Sequence, residues 1–384
     1  MKNYTVYHLH SDRSLLDSCT YYKDYINLAV SYGMSAIGFS EHGNIYNWIE
    51  KKMYCDENNI KYLHCCEVYL TESLNEKIRD NYHTILIAKN QKGVKELNLL
   101  IDLSTQESHM YYKNRLSFDE FLDISDNIIK ISACLASPLN KLPEDNPYYD
   151  KLLKKYDYYE IQYHQGDQCD YNKKLYKLSK QYDKPLIVGT DTHSLNKYKA
   201  ECRSILKKAK RMLYDNEDLF DLTFKSYNEL VDKFTEQNSL PIDVILEAIE
   251  NTNNLADQCE DITLDTTVKY PTLSEDDESL FVKRIYEKCK EKLDKGIITK
   301  NEKYLNQINE EIRVFKKLNM CSFMLFMSEL CIWCNENGIP TGFCRGSVGG
   351  SCIAYILDII DVNPIQWNTI FSRFANEDRE EVGD

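Results

Sequence analysis

No stretch of about eighteen apolar residues occurs in the chain, so no membrane-crossing helix and no membrane partner are expected. The opening MKNYTVYHLH has no apolar core after its lysine, and a secretory leader is not expected either. Cysteine is present, with fourteen residues, but it lacks a disulfide-like rhythm. That absence fits a reducing, cytoplasmic setting. The lone C-x-x-C, Cys331 and Cys334, lies in the apolar run FMSELCIWCNENG with no second pair nearby. Both therefore read as small core residues rather than zinc ligands. Positive charge is in deficit, 47 Lys and Arg against 61 Asp and Glu. This excludes a wholly basic coat for nucleic acid. It leaves room for an enzyme whose metals and local groove hold phosphates. Histidine is scarce, at eight residues, yet two of the eight fall in the opening stretch YHLHSDRSLLD.

What is present is ordinary in bulk: 43% hydrophobic and 28% charged residues over 384 positions, enough for two or three domains with a buried core. Seven short apolar or alternating runs recur: TVYHLH, AIGFSEH, KYLHCCEVYL, YHTILIAKN, IIKISACL, YYEIQYH and PLIVGTDTH. Amphipathic stretches such as YKDYINLAVSYG and NKKLYKLSKQYD lie between several of them. Alternation of this kind predicts an α/β fold with parallel pairing and right-handed crossovers, either an open doubly wound sheet or a closed barrel.

Polar residues concentrate where the runs end. His8 and His10 close the first, His42 the second, Glu67 lies late in the third, Cys134 near the end of the fifth, and Asp191 with His193 closes the seventh. His83 is the exception, at the start of the fourth. In parallel α/β architectures catalytic groups gather at the carboxyl ends of strands, so most of these should share one rim. Side chains two apart on a strand share a face, which makes His8 with His10, and Asp191 with His193, ready-made pincers. Imidazoles with carboxylates suit zinc, manganese or iron better than calcium. Each residue alone has a plainer reading: an H-x-H is more often a polar strand end, Cys134 a core cysteine, Asp17 a loop residue, Glu67 a surface residue. Their joint pattern favours a metal site. His64, His109 and His164 fall outside it and read as structural.

Taken in order, YHLHSDRSLLD, GFSEHGN, the glutamate of CCEVYL, the histidine of NYHTILIA, ISACLAS and GTDTHSL resemble the motifs of the PHP (polymerase and histidinol phosphatase) superfamily. They are most similar to the version found in bacterial DNA polymerase III alpha subunits. The resemblance implies a distorted seven-stranded (β/α) barrel with a site for two to three transition-metal ions (Zn, Mn or Fe). Its ligands would be His8, His10, Asp17, His42, Glu67, His83, Cys134, Asp191 and His193, with Asp191 and His193 also taken as catalytic.

Beyond about residue 200 the pattern turns helical, with KSYNELVDKF and IDVILEAIENTNNLADQC spaced as helices. ITLDTTVKYPTLSEDDES reads as a linker: a short strand, a proline, then an acidic helix start favoured by the helix dipole. Helices are expected at roughly 279–295, 301–318 and 321–337. The glycine- and serine-rich CRGSVGGS then precedes an apolar helix. Small residues let backbone N–H groups approach phosphate, and a helix N-terminus adds positive potential. The lysine and spacing of a Walker loop are absent, and so is a G-x-G-x-x-G. A phosphate site and a simple flexible loop both remain open on these residues alone.

CRGSVGGSCIAYILDIIDVNPIQWNTIFSRFANEDREEVGD is similar to the palm of the same polymerase family. The resemblance implies a triphosphate cradle at Gly346, Ser347 and Arg373, with Asp384 as the first metal-binding carboxylate of the palm, where Mg would bind once the palm is completed. The family's glycine-proline-glycine is replaced here by Gly342, Phe343 and Cys344. The expected organisation is a phosphoesterase domain over 1–270 and a mainly helical, incomplete nucleotidyltransferase-like palm over 271–384. Two-metal polymerisation needs a second carboxylate, so no DNA synthesis by this chain alone is expected. The implied activity is metal-dependent phosphodiester hydrolysis, as a proofreading 3′–5′ exonuclease. The implied partners are DNA with its primer 3′ end, dNTP, the remaining polymerase portion and other replisome subunits. The alternatives are a free-standing small-molecule phosphatase and a structural metal-binding module.

Overall fold

The computed structural model describes residues 2–211, 220–267 and 269–377. It divides into two compact units, Met1–Leu264 and Asp265–Asp384. The division falls inside the stretch expected to be a linker. The short strand expected there is not found: residues 261–267 have no regular structure. The Thr263 amide donates to the Gln91 side chain rather than to a strand partner.

In the first unit the apolar runs form β1 (Ala36–Gly38), β2 (Lys61–Leu63), β3 (Cys65–Thr71), β4 (Tyr82–Ala88), β5 (Ile128–Ile131), β6 (Tyr159–Ile161) and β7 (Leu186–Val188). Almost every residue in them is buried, as expected of strands covered on both faces. β1 pairs with β2 and β6 with β7 in parallel. The first run makes single parallel bridges, Val6 to Ile37 and Leu9 to Thr192, rather than a ladder. Further parallel bridges join His42 to Glu67 and Ile131 to Tyr158.

The expectation of uniformly parallel pairing is corrected at β4, which runs antiparallel to both β3 and β5. No helix separates β3 from β4, so the chain returns directly, which permits only antiparallel neighbours. This reversal also accounts for His83. The start of β4 lies beside the end of β3, with Tyr69 opposite His83 in the register. A histidine at a strand start therefore reaches the same rim as histidines at strand ends.

Helices cover this framework through apolar stripes at helical spacing. The Asp167–Tyr182 helix buries Tyr171, Leu175 and Ser179. The Ile242–Gln258 helix buries Ile245, Ala248, Ile249, Thr252, Leu255 and Ala256. Thr252 Oγ1 accepts the Thr5 amide at 2.9 Å, which pins the first run in place.

In the second unit the helices are Asp277–Asp294, Glu302–Lys317 and Cys321–Glu336, within two residues of the expected spans. Asp276 caps the first by accepting the Ser279 amide at 3.0 Å, and Asp277 and Glu278 follow in its first turn. This is the dipole-favoured acidic start that the sequence indicates. Phe281, Ile285, Phe315, Met324, Leu325, Ile353 and Leu357 form the core. Cys331 and Cys334 are half-buried rather than core residues, a correction. The inward stripe of their helix is Cys321, Met324, Leu325 and Ser328, and the last turns run out past that core.

Gly350 marks a close approach in this unit. A Cβ there would run into the Ile370 carbonyl oxygen. Gly350→Ala is therefore expected to destabilise the second unit by about 1–3 kcal/mol and leave the first unchanged. Denaturant unfolding followed separately in the two units checks this; an unaltered second transition would contradict it.

Candidate metal centre

The rim gathers all nine sequence-nominated side chains. Glu67, 1% exposed, stands among four imidazoles. Its Oε2 is 3.2 Å from His8 Nε2 and 3.7 Å from His10 Nε2. Its Oε1 is 3.1 Å from His42 Nδ1 and 3.0 Å from His83 Nδ1. Asp191 Oδ1 lies 3.0 Å from His8 Nε2, 3.4 Å from His10 Nε2 and 3.6 Å from His193 Nδ1. Asp17 Oδ2 lies 3.0 Å from His42 Nε2 and 3.3 Å from His193 Nε2. Cys134 Sγ is 3.5 Å from His83 Nδ1. Two groups, His10–His42–His193 and His8–His10–Glu67–Asp191, bring their ligand atoms within 4.8 Å of one another.

Hydrogen bonds behind these groups fix which nitrogens face inward. Ser14 Oγ is 2.6 Å from Glu41 Oε2 and 3.1 Å from His10 Nδ1. A hydroxyl has one proton, which goes to the carboxylate, so Ser14 Oγ accepts from His10 Nδ1–H. His10 Nε2 is then left with its lone pair, and it is buried without a hydrogen-bond partner. Likewise His8 Nδ1 meets Glu160 Oε1 at 2.7 Å, which directs His8 Nε2 toward Glu67 and Asp191. The His10 lone pair is aimed at the oxygens of Glu67 and Asp191, an arrangement that repels unless a cation stands between them. The donor set thus fits a transition metal held by nitrogen and oxygen.

Of His8, His10 and His42, His8 and His42 balance the carboxylates as imidazoliums, and His10 alone is left neutral. Burial, followed by repulsion from His42 and His193, lowers the His10 imidazole to about 3. Burial alone would also lower His8, but Glu160 and Asp191 outweigh it and raise it well above its ordinary value. For His42 the same burial is overcome by Glu67 and Asp17, which bring it up to about 9. Burial would raise Glu67 and Asp191, yet the surrounding imidazoles hold both well below the carboxylate range. Burial and then the charges of Asp191 and Glu67 push the Cys134 thiol up. Asp191 also adopts a left-handed backbone, φ 45°, which aspartate tolerates better than most non-glycine residues.

Several contributors were not legible in the sequence. Glu160 accepts from His8, from Tyr7 Oη at 3.0 Å and from Gln162 Nε2 at 2.7 Å. Glu41, paired with buried Lys51 at 2.6 Å, orders the loop that delivers Asp17. Burial would raise Glu41, but Lys51 brings it down to about 2. Arg203 grips Asp17 Oδ1 at 2.5 Å. The only available signal was the alternation in YEIQYH, which puts Glu160 on an inward face. The remaining histidines are buried apart from the cluster. His64 bonds Asn98 and His109 bonds Glu120, whereas His164 stacks on Phe220.

In the second unit Gly346–Gly350 is a 3-10 turn, with Gly346 at φ 69°. The Phe371–Arg373 turn packs beside it, through Gly350 and a Thr369 Oγ1–Gly349 oxygen bond of 2.8 Å. Gly346, Ser347 and Arg373 thus lie on adjoining segments, while Asp384 lies outside the described residues. One expectation is corrected: the helix after the loop offers no open N-terminus. Glu311 accepts the Cys352 amide at 2.8 Å and the Ile353 amide at 2.9 Å, and Ser351 Oγ accepts the Ala354 amide at 3.0 Å.

Three outcomes are expected from these contacts. His8→Ala with His10→Ala should release metal and lower thermal stability, whereas Glu160→Gln should retain metal with affinity weakened about 10–100-fold; elemental analysis and metal titration check both. Burial raises Glu311 to about 7, above its unfolded value of about 4.3. Its contribution to stability is therefore complete below about pH 4.3 and lost as pH rises through about 7. Glu311→Gln should flatten that slope in second-unit unfolding measured against pH, and an unchanged slope would contradict the assignment.

Comparison with known proteins accords with this geometry. Residues 7–167 match the PHP domain family, and residues 279–384 match the bacterial DNA polymerase III alpha NTPase domain family. The chain is 27% identical to the DNA polymerase III subunit alpha of Aquifex aeolicus over 416 aligned residues, covering 100% of this chain and 36% of that one. It is 29% identical to that of Borreliella burgdorferi over 406, covering 98% and 34%. It spans about a third of the length of these relatives. A structure of endonuclease Q with a 27-mer duplex containing an abasic lesion aligns with a TM-score of 0.35 and 17% identity, over 54% of this chain and 57% of that one, a likeness too low to bear on mechanism. By its two matched domains, in this order along one chain, the protein belongs to the bacterial DNA polymerase III alpha family.

Proposed function

We propose that the first unit hydrolyses phosphodiester bonds with transition-metal ions held at its rim, acting on the 3′ end of DNA as a proofreading 3′–5′ exonuclease. The observation that supports this reading best is the buried, unpartnered His10 Nε2 facing Glu67 and Asp191. Such an arrangement is costly unless a cation completes it. We read the strand segments, joined in ring order by their ladders and single bridges, as a distorted seven-stranded barrel.

His8, His10, Glu67 and Asp191 would hold one ion, His42, His193 and Asp17 a second, and His83 with Cys134 would contribute to a third. Zn, Mn or Fe suits these donors. When bound, such ions lower the pKa of water, screen phosphate charge and stabilise the departing oxygen. Glu160 fixes the His8 ring, and the Ser14–Glu41 pair fixes the His10 ring. Arg203 orients Asp17 and consumes one of its oxygens. Asp191 bridges His8, His10 and His193, so its removal should disturb the site most.

Over the second unit we propose that the 346–350 turn and Arg373 cradle a dNTP triphosphate, with Asp384 supplying one palm carboxylate. DNA synthesis would need a second carboxylate and the further length that the relatives possess. DNA, dNTP and other replisome subunits are accordingly proposed as partners of the complete polymerase, in the cytoplasm. Among the described residues no single helix is long and apolar enough to cross a membrane.

The test is a nuclease assay on a primer-template with a mismatched 3′ end, using metal-loaded protein. Hydrolysis from the 3′ end should be abolished by chelation and reduced at least about 100-fold by Asp191→Ala. Hydrolysis confined to small phosphomonoesters would favour the free-standing phosphatase, and none with any metal would favour a structural role.

A further inference from the structure

The hairpin beside the metal centre carries groups for which the cluster itself has no use. Met110–Tyr111 pairs with Lys113–Asn114 around Tyr112. The hairpin is fastened to the rim by Asn114 Nδ2, which donates to the Gly43 oxygen at 2.7 Å and to Ser104 Oγ at 2.8 Å. Gly43 follows the ligand His42, and its amide bonds the oxygen of the ligand Glu67 at 2.8 Å. The hairpin is thus tied directly to two ligand-bearing segments.

Lys113 projects from it over the Tyr69 ring, with Nζ 3.9 Å from the centroid. Tyr69 stands opposite His83 in the register, its ring 5.1 Å from that of His83 and 6.3 Å from that of His42. Among the described residues this ammonium has no carboxylate within ion-pair distance. Arg203, by contrast, is committed to Asp17. Burial lowers the Lys113 ammonium, and nearby Glu67, Asp17 and Cys134 oppose that shift. A half-buried cation at the edge of a metal cluster, satisfied only by a ring face, is placed to receive an anion. Tyr112, at the hairpin tip, is held at φ 61°, a conformation that bulky residues seldom adopt. The residue is 66% exposed, and the Arg79 guanidinium covers one face of its ring, 3.6 Å from the centroid. A large aromatic this exposed offers its other face for stacking.

We infer that this hairpin is the arm that grips a nucleotide at the metal centre: Lys113 takes a phosphate oxygen and Tyr112 stacks on the base. The inference rests on the phosphodiester reading of the site and names the residues outside the metal cluster that hold the nucleotide there.

Binding of thymidine 5′-monophosphate and of inorganic phosphate to the metal-loaded chain tests it without requiring turnover. Lys113→Ala should weaken both about tenfold or more, at unchanged metal content. Tyr112→Ala should weaken the nucleotide about fivefold or more and leave phosphate unaffected. Lys113→Arg should restore part of the loss. Nucleotide binding insensitive to both alanine variants, loss of metal in Lys113→Ala, or no binding of either probe would overturn the inference. Nucleotide binding with the stated sensitivities but no hydrolysis of DNA would uphold the arm while contradicting the exonuclease reading.

Discussion

Everything in the first unit is arranged around one buried carboxylate. Glu67 is enclosed by His8, His10, His42 and His83, and a negative charge in that position must be balanced on the spot. The four imidazoles come from three separate stretches of chain, so the balance can be struck only when the fold is complete. The reversal of β4 is what admits His83 to the set, and the Glu41–Lys51 pair holds the loop that carries Asp17. Site and fold are in this sense one structure: the residues that assemble the charge cluster also join the strand segments whose ladders are too short to cohere alone.

Much of this was legible in the sequence because strand periodicity is simple. Residues two apart share a face, which made His8 with His10 and Asp191 with His193 visible as pairs. The run ends then indicated a common rim. His83 stands apart in the sequence because direction within a sheet is set by the connection, and the helix-free loop before β4 reverses the chain rather than crossing it over. Glu41 and Arg203 were not legible at all, and Glu160 only as an inward-facing residue of YEIQYH. Acidic and basic residues are common, and only three-dimensional proximity distinguishes a glutamate that orients an imidazole from one that faces water.

The second unit shows a different limit. Its three main helices followed from apolar spacing and an acidic start. The glycine-rich segment also looked like a loop feeding a helix N-terminus open to phosphate. The structure gives that N-terminus to Glu311, forty residues earlier than Ser351. A buried carboxylate that takes the helix amides closes them to a phosphate ligand. Local sequence supplies the donors of such a site, and a distant residue decides which of them are free.

The inward imidazole nitrogens and carboxylates of this rim are read as the ligands of metal ions. Anomalous X-ray diffraction from crystals of manganese- or zinc-loaded protein tests that reading most directly. The account expects anomalous peaks within bonding distance of His10 Nε2 and His8 Nε2, and another between His42, His193 and Asp17. Peaks confined to Cys331 and Cys334 or to the protein surface, with the rim empty, would contradict it.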